Sequence, residues 1–581
     1  MLKDQIRLTS GWWQIRLWQR TAPLIDLLML AGVLALFYGI IAAARSWLGP
    51  FTPVVEIHRD PRYLPIYAGY SLLRIGLAYV LSLLFTLIYG YVAAGNPRAE
   101  KFMIPLLDVL QSIPVLSFLP GVMLAMVGLF PSRQLGVEMG AILLIFTGQV
   151  WNMAFSFYSS LKTIPRDMRE AATIYRFSWW QRFVNLELPA SIIGLVWNSM
   201  MSVAGGWFFL MACEMFVLGT RDFRLPGLGS YLQTAASAGD TQAILWGLFT
   251  MIGVIVLLDQ VVWRPVIAWS EKFKMEQVEA IEVPTSWFLN LLQRSGLLRA
   301  INRQLFDPAS ERIALTIARR SHTEASDRKP ATFRRVVTIT LGIALLALVA
   351  YGAAKMAMML TGITRAEVGQ LGRGLLATFV RVNVTLLIAS LWTIPAGVAI
   401  GSNRKLAKIA QPLAQIAASV PATALFPIVL LLLIQIGGGL GVASIILLLL
   451  GTQWYVLFNV IAGAMAIPTD LKEASEIFGI HGWQRWRKLI LPAIFPYLVT
   501  GLVTASGGAW NASIVAEYFH FRGQIYQTVG LGATISHATD KGDFALLVAA
   551  TLAMAAIVVT TNRLVWRKMY RLAETRFSFD T

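Results

Sequence analysis

Residues 164–189 and 467–492 are two copies of one short, charged, amphipathic stretch, 303 positions apart with no gap. The first reads IPRDMREAATIYRFSWWQRFVNLELP and the second IPTDLKEASEIFGIHGWQRWRKLILP. Twelve of the 26 aligned positions are identical, Ile164, Asp167, Glu170, Ala171, Trp180, Gln181, Arg182 and Pro189 among them. A repeat at fixed spacing restricts the fold to an arrangement of two like units. The surroundings restrict it further. The chain has 581 residues, of which 56% are hydrophobic and only 14% charged, the composition of an integral membrane protein.

A membrane span needs about 20 mostly apolar residues. Twelve such runs are predicted, at 22–46, 66–94, 103–130, 136–160, 190–218, 241–268, 333–360, 374–401, 409–436, 439–466, 492–518 and 543–564. Lys and Arg concentrate on one side: the N-terminus, Arg98/Lys101, both repeated stretches, Lys272/Lys274, Arg334/Arg335, Arg404/Lys405/Lys408 and the tail. By the positive-inside rule that side is the cytoplasm, and both termini lie there. The net charge of +18 is spread over these short loops rather than gathered in one patch, which argues against a nucleic-acid partner. A single cysteine, Cys213, rules out a disulfide within the chain, and the five histidines lack metal-ligand spacing. No metal, cofactor or catalytic group is expected. Some twenty polar and aromatic residues precede the first apolar run, so no cleavable signal is evident.

The duplication extends beyond the short stretch. At an offset of 307, Arg74 meets Arg381, Asn96 meets Asn403, and Ser112, Pro114 and Pro120 meet Ser419, Pro421 and Pro427. At 303, Trp207 meets Trp510, Glu214 meets Glu517, Gly227-Leu228-Gly229 meets Gly530-Leu531-Gly532, and Gly239-Asp240 meets Gly542-Asp543. Each half thus carries six predicted spans in the same order, and an even number leaves both halves the same way up, a parallel repeat. The expected units are 1–268 and 333–581, joined by a polar cytoplasmic linker at 269–332 whose end, SHTEASDRKPATFRR, reads as flexible.

The repeated stretch resembles the EAA loop of ABC importer permeases, in which Glu-Ala-Ala is followed after three positions by Gly and later by a Leu-Pro end. The second copy supplies Glu473, Ala474, Ser475 and Gly479; the first supplies Glu170, Ala171 and Ala172 but has Arg176 at the Gly position. The resemblance implies an all-α integral membrane protein with the type I importer permease fold, built as two tandem six-helix repeats of about 12 helices. It implies ATPase coupling through Asp167, Glu170, Ala171, Ala172, Arg176, Asp470, Glu473, Ala474, Ser475 and Gly479. It further implies two ABC ATPase subunits, an extracytoplasmic substrate-binding protein, and a place in the lipid bilayer of a bacterial inner membrane. No G-x-x-x-x-G-K-[ST] stretch occurs, so ATP hydrolysis is expected from partner subunits. Gly permits a left-handed turn at little cost and Arg resists it. The first loop is therefore expected to turn or dock differently, and changes at Glu473 to harm uptake more than changes at Glu170. Without the resemblance, the same stretch reads as an amphipathic helix on the membrane surface.

Two further sets of residues stand out. Ser112-Ile113-Pro114 and Ser419-Val420-Pro421 put proline inside predicted spans, where it removes a backbone hydrogen bond. The break either lines a path or serves packing alone. Similar elements occur in the nitrate/sulfonate/bicarbonate branch of the importer permeases, as does a Glu followed by Gly-Leu-Gly. Glu214 and Glu517 lie in apolar runs, where a carboxylate is costly unless paired. Arg74 and Arg381 lie at comparable depth, so ion pairs at an outer gate are one reading, and exchange of the two charges should then be tolerated. In the other, each arginine snorkels outward and each glutamate caps amides of the Gly-Leu-Gly turn. The implied cargo is a small oxyanion or organic anion. Rival functions are a secondary transporter on a parallel six-plus-six repeat, and a membrane scaffold or sensor acting through its linker.

Overall fold

The computed structural model describes residues 56–273, 286–294 and 361–576, apart from positions 113, 131–132, 219–220, 436–438 and 522–523, together with isolated positions between 340 and 360. Among them, eight helices are long and apolar enough to cross a membrane, four in each half. In the first half these are α1 (Leu64–Gly95), α4 (Arg133–Lys162), α7 (Leu188–Glu214) and α9 (Thr241–Leu258). Between α1 and α4 lie α2 (Pro97–Ser112) and α3 (Leu119–Leu129); between α4 and α7 lie α5 (Arg166–Ile174) and α6 (Trp179–Arg182). A hairpin of β1 (Val217–Leu218) and β2 (Arg221–Asp222), then α8 (Leu228–Ala238), connects α7 to α9, and α10 (Arg264–Ser270) and α11 (Trp287–Arg294) follow. The second half repeats the plan in α12 (Arg365–Ser402), α13 (Arg404–Ser419), α14 (Ala422–Gln435), α15 (Leu440–Met465), α16 (Thr469–Ile477), α17 (Gly482–Arg485), α18 (Leu491–Ala516), β3 (Tyr518–Phe521), β4 (Gln524–Gln527), α19 (Leu531–Lys541), α20 (Phe544–Thr561) and α21 (Arg567–Arg576).

Several repeated residues are explained by caps. Asn96 and Asn403 open α2 and α13: the side-chain oxygen of Asn96 accepts from the Arg98 amide (2.9 Å) and that of Asn403 from the Lys405 amide (3.0 Å). Gly239 and Gly542 end α8 and α19 in the left-handed region, with φ of 68° and 69°. The next residue in each, Asp240 or Asp543, caps the following span through Ala243 or Leu546. Each signal satisfies backbone groups that a helix end leaves unpaired.

Two of the twelve predicted spans are not single helices. The runs 103–130 and 409–436 are each split at the Ser-x-Pro element. Proline cannot donate the next helical bond and pushes the preceding residue to extended backbone. Val420 accordingly has φ −75° and ψ 118°. In the first half the chain restarts through a tight turn at Val115–Phe118 before α3. Run 22–46 lies outside the described residues, as does nearly all of 333–360.

Within each half α4 packs between α1 and α7, and α15 packs between α12 and α18. The split helices cross over: α13 touches α7 and α9, α14 touches α7, and α20 touches α2. Thr551 donates to the Ser117 carbonyl across the halves at 3.3 Å, and within the second half Phe426 meets Phe519 edge-on. The hairpins and Gly-Leu-Gly helices gather at one end of the bundle, called here the hairpin end. The repeated charged stretches gather at the other, the loop end.

Candidate functional site

At the hairpin end, Arg74 sits on α1 with none of its surface exposed. Its Nη1 donates to Glu214 Oε1 (2.7 Å) and to the Pro226 carbonyl (2.8 Å). Its other edge is taken by a residue the sequence reading passed over. Nε and Nη2 donate to the two oxygens of Glu138 on α4, at 2.6 and 2.7 Å. Glu214 also caps α8, because the Gly229 amide donates to its Oε2 at 2.7 Å. Ser71, one turn before Arg74, donates to Glu214 and accepts from the Leu228 amide. The pairing and capping readings are therefore both realised, by the same carboxylate. In a low-dielectric setting an uncovered charge is costly, and this cluster leaves none of its groups bare.

The second half repeats the cluster with changes. Arg381 Nη1 bonds Glu517, Nη2 donates to the Val529 carbonyl at 3.1 Å, and the Ala533 amide donates to Glu517 at 3.2 Å. Thr378 takes the place of Ser71. Gly-Leu-Gly is needed here for space. A Cβ on Gly227 would lie 2.3 Å from the Glu214 carboxylate, and one on Gly530 would lie 2.0 Å from Glu517. Ser71 and Thr378 had a legible signal, hydroxyls recurring at the offset of the arginines. Glu138 had none of that kind, since Gly441 stands opposite it in the repeat.

Between the halves, a cavity of about 140 Å³ is lined by Trp207, Phe208, Trp454 and Tyr455 with polar points at Gln415 and Asn511. Pro421 lines it, whereas Pro114 is not among its walls. The side chains of Ser112 and Ser419 lie outside the described residues. Asn511 Oδ1 is buried without a hydrogen bond among the described residues. A second cavity of about 440 Å³ lies nearer the hairpins, with Arg224, Gln233, Tyr518 and Asp540 in its wall. Arg224 is held by Asp222 at 2.6 Å. Burial, then the hydrogen bond to Asp540, pushes the Tyr518 phenol up.

At the loop end the two repeated stretches adopt one geometry. In the first, amides of Tyr175, Arg176 and Phe177 bond the carbonyls of Ala171, Thr173 and Ala172; in the second, Phe478, Gly479 and Ile480 do so with Ala474, Glu476 and Ser475. Arg176 takes φ 50° and Gly479 φ 63°. The expectation of a different first turn is corrected: the bonds around Arg176 hold it in the left-handed region despite its Cβ. Ala172 and Ser475 are buried beneath the turn. Asp167, Glu170, Asp470 and Glu473 are exposed and Ala171 and Ala474 half-buried. Glu170 and Glu473 make no hydrogen bond or ion pair among the described residues. The tips carry large apolar side chains in the open: Ile174 and Tyr175 are 78% and 75% exposed, Ile477 and Phe478 82% and 78%. Exposed apolar clusters of this kind mark protein or membrane contacts.

The comparisons with known proteins bear on this arrangement. Over 201 residues the chain is 28% identical to an ABC transporter permease protein of Methanocaldococcus jannaschii, covering 33% of this chain and 72% of that protein. It is 28% identical over 201 residues to the bicarbonate transport system permease protein CmpB of Synechococcus elongatus (34% of this chain, 69% of the relative). It is 25% identical over 195 residues to the nitrate import permease protein NrtB of Synechocystis sp. (34% and 67%). The profile of the binding-protein-dependent transport system inner membrane components matches twice, at residues 80–262 and 393–573. These two matches take in more than half of the chain, one per half, and the chain belongs to that family as a fused pair of permease domains.

Proposed function

We propose that this permease carries a small oxyanion or organic anion inward across a bacterial inner membrane, driven by two ABC ATPase subunits that dock on its repeated loops. The observation that carries the reading is the pair of like-shaped loops, each with a buried small residue beneath an exposed apolar tip, at one end of the molecule. Relatives named for bicarbonate and nitrate support an anionic cargo. The loop end then faces the cytoplasm with both termini, and the hairpin end receives substrate from a binding protein outside. Residues 1–268 and 333–581 act as the two permease units and 269–332 as their tether. Asp167, Glu170, Asp470 and Glu473 help seat the ATPases. Arg74–Glu214 and Arg381–Glu517 hold the hairpin end, and the breaks at Pro114 and Pro421 shape the path.

Co-purification with the ATPases tests the docking. The native chain should bring them down, and the double change Glu170→Lys, Glu473→Lys should lose them. ATP-dependent uptake of labelled nitrate or bicarbonate by proteoliposomes tests the cargo. Uptake that proceeds without ATP, with no ATPase bound to the native chain, would move the assignment to a secondary transporter.

A further inference from the structure

The two arginine clusters are equivalent in position but not in composition. Equivalence rests on register. A Cβ on Gly90 would meet Phe157, and one on Gly397 would meet Val460, the same pairing one repeat apart. In that register Glu138 corresponds to Gly441. The first cluster holds one guanidinium between two carboxyl groups. The second holds one guanidinium and one carboxyl group. The edge that Glu138 grips in the first half has no carboxylate in the second among the described residues. Arg381 Nε makes no hydrogen bond among the described residues, and Nη2 has only the Val529 carbonyl and a long 3.4 Å contact to Thr528 Oγ1. Arg74 is fully buried, whereas Arg381 retains 9% of its surface. Gly441 has room for a side chain: a Cβ there would touch nothing closer than Thr528 Oγ1 at 3.8 Å. A cleft of about 430 Å³ shares Thr528 and Val529 with these contacts and carries Arg373, Thr534 and His537.

We infer that the Arg381 edge binds a free planar oxyanion that does in the second half what the Glu138 carboxylate does in the first. The chemistry selects the class. Nε and Nη2 form a flat, two-pronged donor, and its match is a planar group with two oxygens about a carboxylate's width apart, such as formate, nitrate or bicarbonate. A guanidinium that is nine-tenths buried, whose Nε has no hydrogen bond among the described residues and whose Nη2 reaches only a carbonyl and a distant hydroxyl, gains a charge-assisted pair from such an anion. The site belongs to the helix scaffold at the hairpin end and not to the cavity between the halves, so it goes beyond the transport reading and does not depend on it.

The test uses the full chain in lipid nanodiscs. Sodium formate replaces sodium chloride at constant sodium, and thermal unfolding is followed. The native protein should show a saturable rise of about 2–4 °C. Gly441→Glu, which rebuilds the first-half cluster, should abolish the rise. Should that variant fail to assemble, Gly441→Gln reaches the same edge without a charge and should weaken the formate midpoint by at least about ten-fold. An equal rise in native and variant proteins, or no rise in the native protein, overturns the site. Either outcome leaves ATP-dependent uptake to be judged separately, so failure here and failure of the transport reading stay distinguishable.

Discussion

Arg176 shows what a single side chain costs when its neighbours dictate the backbone. A left-handed Arg is strained by about 1–2 kcal/mol, and glycine's extra freedom in the unfolded chain offsets part of any gain from replacing it. Arg176→Gly should therefore stabilise the assembled protein by roughly 0.5–1 kcal/mol, read as a higher unfolding midpoint. An unchanged or lower midpoint would mean that the arginine contributes contacts worth more than its strain. The arginine clusters give a second prediction. Arg74→Met leaves two buried carboxylates without their counter-charge and should cost about 3–5 kcal/mol. Arg381→Met strands only one and should cost less, by the same thermal measurement. Charge exchange between Arg74 and Glu214 follows from pairing alone but not from the structure. A glutamate at 74 would face Glu138, and an arginine at 214 would face the amides that open α8. Neither single change nor the exchange should restore assembly, and full rescue would show that capping contributes little.

At the scale of elements, the broken helices differ in what they meet. Pro421 lines the cavity between the halves, and Pro114 does not. Pro421→Ala lets α13 and α14 approach one continuous helix. Uptake should fall several-fold while ATPase binding persists, and the same change at Pro114 should have the smaller effect. Equal effects on uptake would assign both breaks to packing. The Gly-Leu-Gly elements are set by contact distance, because Gly227 and Gly530 are extended and any residue could adopt that backbone. Gly227→Ala should still cost about 3 kcal/mol, since its Cβ would displace a buried carboxylate.

For the whole molecule, the shared shape of the two loops changes the expected balance between them. The first loop turns as the second does, so Glu170→Lys and Glu473→Lys made singly should reduce ATPase co-purification to similar extents. A marked inequality would place the asymmetry in the ATPases rather than in the turn. The halves also contact each other through helices, α13 and α14 against α7 and α20 against α2. Severing the chain between them should therefore still allow assembly when both pieces are expressed together, read by co-purification of one piece with the other.

Much of this organisation is written in one dimension. Apolar length marks the long spans because the bilayer core sets a minimum helix length. Pro114 and Pro421 lie at the breaks, where the missing amide hydrogen ends the helix, although Pro395 and Pro496 sit inside unbroken helices. Asn96, Gly239 and Asp240 mark helix ends because unpaired backbone groups need caps. The duplication singles out Arg74 and Glu214, since both recur as Arg381 and Glu517. The rest needed three dimensions. Glu138 has no counterpart in the repeat, so nothing in the sequence tied it to Arg74. The left-handed turn at Arg176 contradicts local preference and is imposed by the hydrogen bonds around it. Capping and pairing looked like alternatives because one dimension does not show that a single carboxylate can reach an arginine on α1 and the amides of α8 at once. That juxtaposition depends on how α1, α4, α7 and α8 pack, and local signals, which act over a few residues, do not carry it.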